Sequence, residues 1–264
     1  MNMKPTLNQR PTAFTRTDLI VVIIVFVLFF WGIESMTATA GAKRKAQRIS
    51  CLNNLKEIGT AYRLWAGDHD GHTPALESVS KGGWSDFLTN ADQGAICWIN
   101  YSIMQNELGQ SPKPVMCPAD DRPSASKFVT NAVPNDPHNQ YFQNNSNLSY
   151  FVGVSANTNS PLSLLAGDRN LGDGTVPDSG YGFSPASGEG NDVAVAIAGP
   201  VSWSLKMHSA RNAAGSGTIL LGDGSVQAVT SASFNKNWLH NAPPTTNWPI
   251  GHVPATPSIR LVFP

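Results

Sequence analysis

Residues 19–33 read LIVVIIVFVLFFWGI, fifteen positions without one polar side chain. A run of this length exceeds a core strand and stops a little short of the roughly 20 apolar residues that span a bilayer as a helix. The flanks extend it. Residues 14–17 and 35–42 are small or weakly polar apart from Arg16, so a helix over 14–42 reaches a spanning length. Downstream the period changes. In AQRISCLNNLKEIGTAYRLWAGDHDG, Ile49, Leu52, Leu55, Ile58, Tyr62 and Trp65 recur at steps of three or four. That is the stripe of an amphipathic helix packing on a body. No proline lies between Phe14 and Asp70. One helix of roughly fifty residues, about 75 Å long at 1.5 Å per residue, therefore accommodates both halves, 14–42 and 43–70. Gly, Asp and Pro in GDHDGHTPA end it.

Three readings of the run compete: a cleaved secretory signal, a plain membrane anchor and a prepilin signal. TATAGA at 37–42 offers a small-x-small cleavage site, but the helical pattern continues through and beyond it. Charge does not fix the topology. Lys4, Arg10 and Arg16 precede the run, while Lys43, Arg44, Lys45 and Arg48 follow it within counting distance.

Beyond residue 70 the chain reads as a loop-rich body. Gly contributes 23 residues and Pro 19, charged residues only 14%, and the net charge is zero. Such a surface carries no basic footprint for nucleic acid. NLSYFVGVSA, SLLAGD, VAVAIAG, VSWSL, TILLG and SVQAVT are strand candidates. Asp223 and Gly224 read as a two-residue hairpin turn between the last two. Strands packed on the amphipathic half of the helix give an α+β body, and the tail from Ser231 reads as a surface wrap with a short helix near 234–239.

Enzyme signatures are poor: there is no G-x-S-x-G elbow, no H-E-x-x-H and no P-loop. His208 reads as a structural residue bonded to a loop carbonyl or to Asp223. Asp168, Asn170 and Asp173 in GDRNLGDG offer clustered oxygens of the kind calcium takes, although Asx turns explain the same run. Six tryptophans (Trp65, Trp84, Trp98, Trp203, Trp238 and Trp248) could line a stacking face or fill the core. Three cysteines, Cys51, Cys97 and Cys117, allow at most one internal bridge, and none has zinc-ligand spacing.

AFTRTDLIVVII resembles the cleavage and methylation motif of prepilin-like proteins, the pseudopilins of type II secretion and their pilin relatives. The resemblance implies cleavage by prepilin peptidase between Ala13 and Phe14, with residues 1–13 a basic leader. It implies N-methylation of Phe14 and a pairing of the Phe14 amine with Asp18. Ala13 stands where the motif has Gly, Arg16 and Thr17 where it has apolar residues, and Asp18 where it has Glu. SCLNNLKEIGTAYRLWAGDHDGHTP, VMCPADDRPSA, LLAGDRNL and the run from His208 to LGDGSVQ are similar to prepilin-like proteins of planctomycete- and verrucomicrobial-type bacteria. In that element His208, Asp223 and Gly224 form a structural motif, and residues 212–216 read as an inserted loop. Cys51 and Cys117 fall in two of these segments, so the resemblance favours that pair for the bridge.

The implied protein has a pilin-like α+β fold with an exported body over 71–264. It sits as a single-pass subunit in the bacterial inner membrane, its N-terminus cytoplasmic, before joining a homo-oligomeric filament and other pilin-like subunits. It is not an enzyme. The alternative is a lone membrane protein whose body binds a carbohydrate or other surface polymer.

Overall fold

A computed structural model describes residues 15–88, 97–129, 141–185, 193–209, 215–239 and 259–264. The helices are α1 (Arg16–Gly67), α2 (Cys97–Ile103) and α3 (Ser231–Phe234), the last running into a π turn at Asn235–Leu239. The strands are β1 (Lys127–Phe128), β2 (Tyr141–Phe142), β3 (Tyr150–Gly153), β4 (Leu164–Asp168), β5 (Leu171–Asp173), β6 (Val193–Ile197), β7 (Val201–Trp203), β8 (Ser216–Leu221), β9 (Val226–Thr230) and β10 (Ile259–Phe263). The chain divides into two units, Met1–Lys45 and Ala46–Pro264.

The first unit begins α1 with a reciprocal cap. Thr15 donates its backbone N–H and hydroxyl to Asp18 Oδ2 at 3.0 and 2.8 Å, and Asp18 N–H returns to Thr15 Oγ1 at 3.3 Å. This is the capping-box arrangement, with Asp in the third position. The twelve apolar side chains over 19–30 are each between 40% and 65% exposed. The sequence expects a membrane-crossing helix over 14–42. Among the described residues no helix is long and apolar enough to cross a membrane. The described apolar side chains cover only 19–30, about 18 Å at 1.5 Å per residue against a hydrocarbon core of about 30 Å.

In the second unit the buried stripe of α1 is Cys51, Leu55, Ile58, Tyr62 and Trp65, between 0% and 5% exposed. It is not quite the expected one. Ile49 is 49% exposed and Leu52 only half-buried, because a helix face is set by what it packs on, and Cys51 takes the place that Ile49 was given. The partner is a six-stranded antiparallel sheet in the order β6-β10-β3-β4-β8-β9. Alternation along the strands sends Val152, Ala166, Leu220 and Val262 into one cluster with the α1 stripe. Phe151, Ile219, Leu221, Leu261 and Phe263 go to a second cluster with Trp203, Phe234 and Trp238. Both faces of the sheet are covered. Helix and sheet approach so closely that a Cβ on Gly59 would lie 2.7 Å from Leu220 Cδ1.

Three details differ from the sequence reading. The β8–β9 hairpin pairs Leu220 with Val226 and bonds Leu221 N–H to Ser225 O, so its loop has three residues, Gly222, Asp223 and Gly224. Gly224 takes φ +75°, the left-handed residue that three-residue hairpins place there. Ser216, assigned to an insertion, opens β8 opposite Thr230. The tail does not merely wrap the surface, for β10 lies inside the sheet between β6 and β3.

Candidate functional site

One face of α1 builds the first wall of the site. Gln47, Cys51 and Asn54, at helical steps of four and three, hold a single short segment. Gln47 Nε2 donates to Pro118 O at 2.8 Å, and Asn54 Nδ2 donates to Met116 O at 2.7 Å. Between them Cys51 is joined to Cys117 by a disulfide that links positions 66 apart. Cys97 is a separate buried thiol, its sulfur 3.3 Å from Val262 O.

The second wall is the end of β4, where Asp168, Arg169 and Asn170 are all fully buried. Such a run survives inside a protein only when each member is paired. Arg169 meets Asp120 through two hydrogen bonds of 2.8 Å, Nε to Oδ2 and Nη2 to Oδ1, and its guanidinium carbon lies 3.4 Å from the Tyr181 ring centroid. Burial pushes the Asp120 carboxyl up, but the hydrogen bonds and charge of Arg169 hold it below its ordinary value. Arg122 donates to the carbonyls of Asn145, Leu148, Pro185 and Pro264. Burial and the neighbouring Arg169 bring its pKa down to about 10, so it stays charged at neutral pH. Asn170 Nδ2 donates to the carbonyls of Ser204 and Lys206, fixing the loop that presents His208.

His208 enters between the two walls. Its Nε2 lies 3.4 Å from Cys117 Sγ and 3.6 Å from Asp168 Oδ2. Its side chain is only 2% exposed. Asp168 Oδ2 also accepts Thr218 N–H at 2.7 Å, while Oδ1 has no partner among the described residues. Burial pushes the Asp168 carboxyl up, and His208 and Thr218 offset only part of that. Cys117 and Asp168 thus stand against the same nitrogen of His208, which is not the order of a thiol–imidazole–carboxylate relay. The sulfur of Cys117 is taken by Cys51 and is buried, so the array as it stands is a clasp and not a nucleophile.

The structure separates other residues that the sequence grouped. His208 faces Cys117 and Asp168, whereas Asp223 is exposed on the hairpin loop. There its Oδ1 accepts Ser225 N–H and its carbonyl accepts Arg63 Nη2. The expected pairing of His208 with Asp223 is not formed. Asp168 and Asn170 are buried while Asp173 is exposed, so the three do not assemble a calcium-type oxygen cluster. Trp65, Trp84, Trp203 and Trp238 are buried and Trp98 half-buried, which makes them core and not a stacking face; Trp248 lies outside the described residues. Ala13 and Phe14 lie outside them too, and Asp18 is engaged by Thr15. Sequence reasoning missed Asp120, Arg122 and Arg169. Their signal was three charged residues inside otherwise apolar or turn-rich segments, MCPADDR and LLAGDRNL. Comparison of the chain with protein families, curated proteins and solved structures finds no match to any of them.

Proposed function

We propose that this chain is a pilin-like structural subunit of a type II secretion or type IV pilus-like filament. Residues 14–42 anchor it in a bacterial inner membrane before assembly, and the body is exported. One observation carries the reading. The same helix that buries Cys51 to Trp65 against the sheet begins with twelve consecutive apolar side chains, all exposed. In the sequence that run continues to Ile33. Exposed apolar surface of this extent marks a site that lipid or a second protein surface covers. The Cys51–Cys117 bridge is of the kind that persists in exported domains.

In this reading prepilin peptidase cuts between Ala13 and Phe14, and the freed amine of Phe14 on an incoming subunit replaces Thr15 as the partner of Asp18. Apolar helix segments then pack on one another in the filament while the bodies form its outer surface. The body is a scaffold, without a catalytic role.

Mass spectrometry of the chain isolated from native membranes tests this. The expected mature N-terminus is Phe14, carrying an N-methyl group. A mature chain starting after Ala40 or Ala42 shows an ordinary secretory signal, and the filament reading falls with it.

A further inference from the structure

We propose that Cys51, Cys117 and His208 form a zinc-class metal site, with water in the fourth position and Asp168 beside His208, whenever the Cys51–Cys117 bridge is reduced. Bridge and bound cation are then alternative ways of fastening the same two segments. The proposal concerns the body alone and does not depend on filament assembly.

Convergence is the first ground. One donor atom from each of Cys51, Cys117 and His208 lies within 4.8 Å of the other two, although the residues come from α1, the segment after α2 and the turn at Met207–Ser209. Each is held independently of the bridge: 116 and 118 by Asn54 and Gln47 on α1, and the His208 loop by Asn170. The donors therefore stay together when the sulfur–sulfur bond opens.

Distances are the second. A tetrahedral Zn²⁺ with bonds of about 2.3 Å to sulfur and about 2.0–2.1 Å to nitrogen or oxygen sets its donors about 3.3–3.8 Å apart. His208 Nε2 already stands 3.4 Å from Cys117 Sγ. Two sulfurs released from a disulfide separate to ordinary non-bonded contact, which is close to the sulfur–sulfur edge of the same tetrahedron.

Charge is the third. A disulfide is neutral, and so are two thiolates with one divalent cation, so the exchange adds no net charge where charge is costly. The pocket also has acceptors to spare. Asp168 Oδ1 is buried with no partner among the described residues, a deficit that a cation beside Oδ2 relieves. The side chains of Cys51, Cys117 and His208 are all buried, so water in the fourth position is the one exchangeable ligand.

The chemistry balances. An external dithiol delivers two electrons and two protons to the bridge and leaves as its own disulfide. Zn²⁺ then displaces the two protons from Cys51 and Cys117 and takes the lone pair of His208 Nε2. In a reducing compartment, where the bridge cannot persist, the cation fastens α1 to the 116–118 segment.

The test uses the full-length chain in detergent, first with Co²⁺ alone as spectroscopic probe and then with Zn²⁺ in competition. After reduction and removal of the reductant, one Co²⁺ per chain is expected. It should show sulfur-to-cobalt charge transfer and the intense visible bands of tetrahedral coordination, displaced by Zn²⁺. The oxidised chain is expected to show neither. Asp168→Asn should weaken binding about 10- to 100-fold, as loss of a supporting carboxylate does, and His208→Ala at least as much. Peptide mapping of both oxidised variants should still find the Cys51–Cys117 bridge, proving that the sulfurs still meet. Absence of the charge-transfer band in the reduced chain overturns the proposal. So does a band equally strong in both variants, which would make binding a property of two loose thiols.

Discussion

Residues 19–30 and the cluster around Asp120 invert each other. In the first, twelve apolar side chains face outward; in the second, Arg169, Arg122, Asp168 and the side chain of Asp120 are buried. Both are exceptions to the rule that oil goes inside and charge outside, and they are resolved differently. Arg169 and Arg122 meet their complements inside the same fold, a bidentate carboxylate and four carbonyls. Among the described residues nothing covers the apolar segment, and in the proposed reading its complement comes from another molecule. The body thus supplies partners for both of its buried arginines, while the start of α1 carries its apolar side chains uncovered.

The largest test of that contrast removes a carboxylate from each region. Asp120→Ala leaves Arg169 buried without its partner and should cost about 3–5 kcal/mol of body stability, read by urea denaturation of the full chain in detergent. Asp18→Ala should leave the urea midpoint unchanged and instead reduce subunit cross-linking along 19–33. Acid sharpens the same point. Because the folded Asp120 carboxyl titrates below its unfolded value, the unfolded chain binds the proton first. Its contribution is complete above the ordinary value of 3.8 and disappears as pH falls through the folded one. A melting-temperature profile against pH should therefore lose part of its acid limb in Asp120→Asn.

Next in size is one truncation made twice on the same helix. Leu55→Ala, at a wholly buried position, should cost about 2–5 kcal/mol. Leu28→Ala, at a position 61% exposed, should change body unfolding by less than about 0.5 kcal/mol. Equal losses at the two sites would erase the distinction between the halves of α1. A smaller effect is expected at Arg63→Ala. It removes the bond from Arg63 Nη2 to Asp223 O and should lower stability by roughly 1 kcal/mol, with the β8–β9 amides exchanging faster. The smallest concerns Thr15→Ala. It unties the reciprocal cap, so amides at 16–18 should exchange faster while urea denaturation of the body is unaffected.

The sequence was most informative where one physical rule dominates. The stripe from Leu55 to Trp65 and the strands β3, β4, β6, β7, β8 and β9 follow from periodicity and β-branched runs, and the structure is α+β with an antiparallel body. Periodicity erred by a fraction of a turn at Ile49, because a pattern of apolar residues cannot know that a cysteine will occupy the centre of the contact. It also gave no hint that both faces of the sheet are covered. The cluster was hidden for another reason. Cys117, Asp168 and His208 meet only through tertiary packing, and sequence separations of tens of residues carry no geometry. Asp223 drew attention as a neighbour in the chain, yet the carboxylate beside His208 comes from β4. Asp168 was singled out for its oxygens, but for calcium in a surface turn. Its place at the end of a strand covered on both sides made it a buried acceptor instead.

The position of β10 carries a consequence for the order in which this fold can form. It pairs with β3 on one side and β6 on the other, yet it follows every other strand of the sheet along the chain. Until residues 259–263 arrive, β3 and β6 have nothing between them, and the Pro264 carbonyl that Arg122 and Ser184 grip is missing. A ribosome therefore releases a chain whose sheet stays open in its middle until β10 has emerged. Completion of the body is a late, single closing event. It leaves the earlier strands exposed to wrong partners until β10 arrives.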